Sequence, residues 1–246
     1  MFFLAGTSLS AQWISPRTPG IPRTPDGKPD LTAKTPRAAD GKPDLSGLWM
    51  LRTEAYWDDI GIDLKPAGIP FQPWAAALYK QRLDSEGKDS PIARCTPAGV
   101  PTLDTIPTPR RIIQTPGLTA ILHEYNIEYR QIFIDGRALP QDPNPNFLGY
   151  SVGAWDGDTF VVETIGLKDD AWLDLFGTPA TDALHVTERF HRIDFGHLDL
   201  DITMTDTKAY SKPWPINLHL NLMPDAEILE YACIENNRGM EHMVGK

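Results

Sequence analysis

The chain has 246 residues, 23 of them proline, and a formal net charge of −10. This length accommodates one domain with a full core, and a hydrophobic content of 41% indicates a folded chain. The acidic balance disfavours nucleic acid and anionic membrane surfaces as partners. No apolar run approaches the roughly 20 residues of a transmembrane helix.

The first residues resemble the end of a secretion signal. Residues 2–6 are apolar and residues 7–11 are small or polar enough for cleavage, although a basic segment is missing before them. We predict a signal-peptide remnant over residues 1–11 and a periplasmic or secreted protein. The alternative is an N-terminus without a targeting role.

A near repeat follows, since residues 22–31 recur as residues 36–45. Residues 12–39 are predicted to be a proline-rich linker, with the first copy in the linker and the second leading into the fold. We expect residues 1–35 to make few contacts. The predicted domain spans residues 40–237, and residues 238–246 are a C-terminal tail.

One short helix is predicted near residues 72–83, with Pro73 in its first turn. The proline density of residues 91–109 argues against central strands there. From Arg110 to Ile234 short apolar runs alternate with tight turns, such as Asp156-Gly157-Asp158. This pattern predicts a mainly β fold.

We predict a single antiparallel β-barrel of about eight to ten strands, a lipocalin-like calyx, with a two-sheet β-sandwich as the alternative. Trp49 early in the first strand fits a calyx, because a tryptophan there often plugs the closed end. That step is an analogy of fold.

Three hairpins can be registered from their turns. The first joins residues 118–125 to 128–135 and sets Ile121 opposite Ile132. The second joins residues 184–193 to 197–205, and it pairs Arg189 with Asp201. The third returns from residues 216–222 through Pro224-Asp225.

The two cysteines, Cys95 and Cys233, are predicted to form a disulfide, because an exported chain with an even cysteine count favours one. Two buried free thiols are the alternative. The third hairpin would place Ile216 opposite Cys233.

The second hairpin carries an anomaly, Glu188, which alternation places on the apolar face between Val186 and Phe190. A carboxylate there has a partner or a raised pKa, and such groups mark functional sites. Arg192, a tyrosine or a ligand is expected to meet it. The candidate catalytic residues are Glu188, His185 and Asp170. The plain alternatives are a structural ion pair for Glu188 and a solvated outer face for His185.

Candidate ligand contacts come from the dense hairpin after Gly149, from the acidic aromatic loop 169–174, and from charged residues near Glu188. They are Tyr150, Trp155, Glu163, Trp172 and Arg192. The three carboxylates of loop 169–174 could hold a calcium ion, but the loop lacks EF-hand spacing. No phosphate loop, HExxH or nucleophile-elbow motif occurs. We therefore assign no cofactor and no metal.

Two segments carry a resemblance to a family. Residues 40–49 read DGKPDLSGLW and residues 149–164 read GYSVGAWDGDTFVVET. They are similar to a family of exported bacterial proteins without an assigned activity, over residues 37–237, including Glu188-Arg189-Phe190 and Lys212-Pro213-Trp214. The resemblance implies export and one domain. It also implies a histidine-bearing loop where this chain has residues 178–181 without histidine, which puts catalysis in doubt.

Two function classes follow from these observations. The first is an exported protein that binds a small apolar or amphipathic molecule inside the barrel. The second is a cofactor-independent hydrolase, lyase or isomerase in the same cavity. An interior where a carboxylate, a histidine and an arginine converge would favour catalysis.

Overall fold

The structure, a computed structural model, describes residues 17–235. Within this range nine strands close into one barrel, which confirms the predicted single barrel. The strands are β1 Gly47–Leu51, β2 Arg110–Thr115, β3 Leu118–His123, β4 Tyr129–Phe133, β5 Tyr150–Asp156, β6 Thr159–Ile165, β7 His185–Arg192, β8 His197–Thr205 and β9 Trp214–Leu222.

Helices are few. The predicted helix is present as α2, Pro73–Asp84, with its proline in the first turn. The others are α1 Ala55–Asp58, α3 Thr102–Thr105 and the 3-10 helices Ile62–Leu64 and Pro91–Arg94. No helix in residues 17–235 is long and apolar enough to cross a membrane.

The strand count forces one irregularity in the barrel wall. Neighbours that all run antiparallel alternate in direction around a closed ring, so their number must be even. Nine strands therefore need a parallel pair, and β4 and β5 form it. Parallel neighbours require a long crossover connection, which residues 134–149 supply.

Alternating side chains of the strands fill the barrel. Ile216, Leu218, Leu220 and Leu222 of β9 are all buried, as their spacing predicts. At the end of the barrel where β1 begins, Trp49 is fully buried. The guanidinium of Arg192 lies 4.9 Å from the Trp49 ring centroid. This end is closed.

Loops and short helices cover the other end. All four residues of α3 are buried, and the Oγ1 of Thr102 donates to the carbonyl of Trp172, 3.1 Å away. The carboxylate of Asp174 accepts the amide N–H groups of Ile60 and Thr178 at 3.0 and 2.8 Å. Because Asp174 lies at the junction of these loops, it ties the cover together.

The second hairpin has the predicted register, with His191 opposite Asp199 and Arg189 opposite Asp201. The predicted register of the first hairpin was wrong by two residues, since Ile132 pairs with Thr119. The chain between His123 and Glu128 makes a four-residue loop, because Tyr125 turns inward. Its ring packs 6.2 Å from that of Trp57.

The third predicted hairpin was also wrong. Strand β9 pairs with β8 and β1, and residues 223–235 contain no strand. Since those partners occupy both edges of β9, no edge is left for a returning strand. The C-terminal segment instead reaches the β3–β4 loop, where the N–H of Leu229 donates to Oε2 of Glu124 and Cys233 bonds to Cys95.

The predicted disulfide is confirmed, with Cα atoms of Cys95 and Cys233 5.5 Å apart. It joins the proline-rich segment before β2 to the end of the described chain. The amide N–H of Cys233 also donates to Oδ1 of Asn126, 3.4 Å away. The disulfide therefore stabilises the β3–β4 loop as well.

The expectation of few contacts was wrong for residues 17–35. Both copies of the repeat form the same small turn, closed by bonds from Asp30 N to Pro22 O and from Asp44 N to Pro36 O. In each copy an arginine binds an aspartate at the closed end of the barrel, Arg23 with Asp225 and Arg37 with Asp158. The carbonyl of Leu31 also accepts the N–H of Gly196.

All nine strands lie inside the predicted domain of residues 40–237. The boundaries themselves stay predictions. The predicted signal remnant, residues 1–11, and the predicted tail, residues 238–246, lie outside the described residues.

Candidate functional site

The parallel pair leaves a seam in the barrel wall. Only Ile132 and Phe133 of β4 pair with β5. The N–H of His123 donates to the carbonyl of Glu128. In an antiparallel pair every second residue hydrogen-bonds to the neighbouring strand, so the backbone N–H and C=O groups of Tyr129 and Gln131 point away from β3. Those backbone groups face the seam.

The chain before β5 is held on the far side of this seam. The N–H of Asn146 donates to the carbonyl of Gly166, 3.0 Å away. Gly149 has φ +65°, and a Cβ there would lie 2.7 Å from the carbonyl oxygen of Ile165. Glycine at position 149 therefore lets the segment before β5 lie close against the end of β6. This position keeps the segment apart from β4.

A cavity of about 560 Å³ occupies the gap, and we call it the seam cavity. This volume is within the usual range for small-molecule sites. Its walls are mostly apolar and include the rings of Tyr129, Phe133, Phe147 and Tyr150. Its polar residues are Glu128, Arg130, Gln131, Asn146 and Ser151.

Behind the seam cavity lies a buried ion pair between Arg130 and Glu188. Arg130 is 2% exposed and Glu188 is fully buried. Nη1 of Arg130 donates to Oε1 of Glu188 over 2.7 Å, and Nη2 donates to Oε2. The same guanidinium donates to Oγ1 of Thr164 over 2.7 Å and to Oγ of Ser151 over 3.2 Å.

The pKa values of this pair reflect two opposing effects. Burial raises the pKa of Glu188, and the charge and hydrogen bonds of Arg130 oppose that rise. Burial lowers the pKa of Arg130, but Glu188 and Asp104 together outweigh burial, and the net direction is upward. Both oxygens of Glu188 are occupied, so the expected partner, Arg192 or a tyrosine, is replaced by Arg130.

A second buried pair adjoins the first. Nη1 of Arg110 donates to Oδ1 of Asp104 over 3.0 Å, and Nη1 of Arg130 lies 3.9 Å from Oδ2 of Asp104. Two guanidiniums therefore face two carboxylates. His123 is buried beside them, and burial, then Arg110 and Arg130, hold its pKa well below its ordinary value. This direction favours the neutral form of the His123 imidazole.

Three atoms of this cluster are buried without a hydrogen-bond partner in the described chain. They are Oδ2 of Asp104, Nε of Arg110 and Nε2 of His123. Arg110 and His123 are cross-strand partners, so the unpaired atoms come from neighbouring side chains. Such groups are rare in native proteins because each one costs desolvation energy.

Sequence reasoning did not assign a site to Arg110, His123 or Arg130. A signal existed, because Arg110 shares a strand face with Ile112, and Arg130 shares one with Ile132. A charged residue that alternates with a core isoleucine must point into the barrel. The role of Asp104 had no such signal, since it lies on a short helix whose position depends on the tertiary fold.

The structure does not bring the three candidate catalytic residues together. Glu188 points into the barrel. His185 lies on the outer face of β7, half-buried against the carboxylate of Glu163. Asp170 is exposed in the loop after β6.

Of the candidate ligand contacts, Tyr150 lines the seam cavity, where its hydroxyl accepts from Nη1 of Arg137 at 3.1 Å. Trp155 packs on Phe160, with ring centroids 5.2 Å apart.

The other three lie elsewhere. Glu163 accepts from Oγ1 of Thr187 on the outer face, over 3.0 Å. Trp172 is buried in the cover, with the guanidinium of Arg82 4.6 Å from its ring centroid. Arg192 donates to the backbone carbonyls of Asp44 and Phe195 at the closed end.

A second cavity of about 560 Å³ lies at the closed end, where residues 17–21, which precede the first repeat copy, line it together with Arg111 and Arg192. Carbonyl groups already bind the guanidinium of Arg192. This cavity does not include Glu188 or Arg130. The seam cavity is the stronger candidate because it borders the buried charges.

No group of three or more histidine, cysteine, aspartate or glutamate residues among residues 17–235 is placed to hold a metal ion. No family model matches the chain, and no curated protein and no solved structure matches it. The resemblance to the exported bacterial family stays a prediction.

Proposed function

We propose that this chain is an exported barrel protein that binds a small amphipathic molecule in the seam cavity. The observation that carries the proposal is the composition of that cavity. Aromatic and apolar walls with a few polar groups are typical of small-molecule sites. Core side chains fill the barrel interior, so the candidate site is the cavity in the barrel wall at the parallel pair.

The state of the charged groups supports binding over catalysis. Arg130 holds both oxygens of Glu188, and a general base needs a free lone pair near the reacting proton. His185 and Glu188 lie on opposite faces of β7. A catalytic role for Glu188, His185 or Asp170 stays a proposal.

Export rests on the disulfide, because such bonds persist in oxidising compartments. The test is alkylation of free thiols in cells that carry the full chain, followed by mass measurement. An oxidised Cys95–Cys233 pair in the periplasmic or secreted fraction supports the proposal. The same chain found reduced and cytoplasmic contradicts it.

The binding proposal is tested with N-phenyl-1-naphthylamine, a neutral amphipathic dye that fluoresces in apolar surroundings. We expect saturable binding, weakened about thirtyfold when Tyr129→Ala and Phe147→Ala remove two rings, since each lost ring contact is worth about 1 kcal/mol. Phe176→Ala is the matched control, because Phe176 is 37% exposed and does not line the cavity.

Two results would contradict the binding proposal. One is dye affinity in the Tyr129→Ala, Phe147→Ala variant equal to that of the unaltered chain, which would place the dye elsewhere. The other is no saturable binding at all. Thermal melting of each variant shows whether a lost signal comes from unfolding.

A catalytic function is the second proposal, and the unpaired atoms of Asp104, Arg110 and His123 favour it. A buried carboxylate, arginine and histidine with free hydrogen-bonding capacity could orient a reacting group. The test is mass spectrometry of the dye and of simple aryl esters after incubation with the chain. Turnover that survives His123→Phe in folded protein would reject it.

A further inference from the structure

Glu128 is the carboxylate that lines the seam cavity. One of its oxygens, Oε1, accepts the N–H of Ala98 at 3.2 Å and Nδ2 of Asn126 at 3.4 Å. The other, Oε2, is buried and has no hydrogen-bond partner within residues 17–235. Of the two oxygens, Oε2 is therefore the one left without a partner.

No basic side chain of the described chain neutralises Glu128. The cation that lines the same cavity is Arg130, and Arg130 forms its ion pairs with Glu188 and Asp104. Burial raises the pKa of Glu128, and the N–H groups that it accepts oppose the rise. A cation beside Oε2 would favour the ionised carboxylate.

The aromatic walls suit a positive charge. The guanidinium of Arg137 lies 3.9 Å from the ring centroid of Phe133, and Nζ of Lys168 lies 4.7 Å from that of Phe147. Ring faces attract cations through their quadrupole. Two cavity rings thus already carry a cation, while Tyr129 is 62% exposed at the seam and has no such partner among the described residues.

We infer that the seam cavity selects an organic cation, an amine or quaternary ammonium with an apolar or aromatic body, and that Glu128 is its counter-ion. The apolar body lies among the rings, and the ammonium donates to Oε2 of Glu128. This inference rests on the proposed binding function. It adds the ligand class and the residue that sets it.

The test uses three probes with one apolar body and different heads: 4-phenylbutylamine, 4-phenylbutanol and 4-phenylbutanoate. Calorimetry on the unaltered chain at pH 7 should show the amine binding about tenfold more tightly than the alcohol, as a partly desolvated ion pair and a ring contact allow. The carboxylate should bind most weakly.

The variant Glu128→Gln should remove the advantage of the amine and leave the affinity for the alcohol within about twofold. It keeps an oxygen for Ala98 and Asn126, so it is expected to fold. Glu230→Gln is the matched control, because Glu230 is exposed and outside the cavity. It removes the same charge and should retain the preference.

The outcomes distinguish a failure of the inferred cation preference from a failure of the proposed binding function. Equal affinities for amine and alcohol in the unaltered chain overturn the inference while the binding function stands. A preference for the amine that persists in Glu128→Gln also overturns it. If none of the three probes binds, both proposals fail.

Discussion

Replacing Glu188 with glutamine tests whether the buried charge cluster stabilises the barrel. The unaltered cluster balances Arg110 and Arg130 against Asp104 and Glu188. Glu188→Gln leaves two guanidiniums with one carboxylate, and Asp104 lies 3.9 Å from Arg130. An uncompensated buried charge costs about 3 to 5 kcal/mol. For a chain of this size that lowers the melting temperature by roughly 6 to 20 °C.

The assay is urea unfolding at pH 7 with the disulfide intact, followed by tryptophan fluorescence. Glu163→Gln is the matched control, because Glu163 lies on the next strand and its side chain is 34% exposed. Its partly exposed contacts are worth about 1 kcal/mol or less.

A double variant separates charge from shape. Arg130→Met with Glu188→Leu leaves Arg110 paired with Asp104, so the cluster is neutral again. It should be more stable than Glu188→Gln alone, because replacing a buried ion pair by apolar groups is often neutral. A cost below about 1 kcal/mol for Glu188→Gln would refute the electrostatic reasoning, as would a double variant that is the least stable of the three.

Three further predictions concern stability. Burial raises the pKa of Asp174 from 3.8 to about 6, so the contribution of Asp174 to stability is complete below pH 3.8 and is lost as the pH rises through 6. In urea titrations the stability advantage of the unaltered chain over Asp174→Asn should therefore shrink by about 2 to 3 kcal/mol from pH 4 to pH 7. A difference that stays constant with pH would contradict the raised pKa. The disulfide closes a loop with a sequence separation of 138, so its reduction should lower the free energy of unfolding by about 4 to 5 kcal/mol on the chain-entropy estimate. The control is a variant with both cysteines changed to serine, whose stability should not change when reductant is added. Arg23→Ala should lower the melting temperature more than Arg37→Ala, because the Arg23 and Asp225 side chains are 19% and 21% exposed against 43% and 53% for Arg37 and Asp158. Equal losses in thermal unfolding would show that burial does not set the difference.

Local pattern predicted the second hairpin because its turn is short. A three-residue loop ending in Gly196 leaves little freedom of register, and alternation then places Glu188 inside and Arg189 outside. The first hairpin was missed by two residues since its loop depends on where Tyr125 packs. That contact is between residues distant in the chain, so no periodic pattern of apolar residues in the sequence indicates it.

The candidate site could be predicted only in part. Glu188 was found because a charge interrupts an apolar face. Its partner Arg130 lies 58 residues away along the chain, on a strand whose neighbours in the barrel were unknown. The seam cavity could not be predicted from the sequence, because it arises where β4 and β5 pair in parallel.

The amino-acid sequence by itself determined the mainly β class, helix α2, the buried face of β7 to β9 and the cysteine pair. These follow from turn residues and alternation, which act over a few neighbouring residues. Only the tertiary structure decided the strand count, the parallel pair, the docking of the repeat and the partners of the buried charges. Each of these depends on which distant segments meet when the sheet closes, and closure is a property of the whole chain.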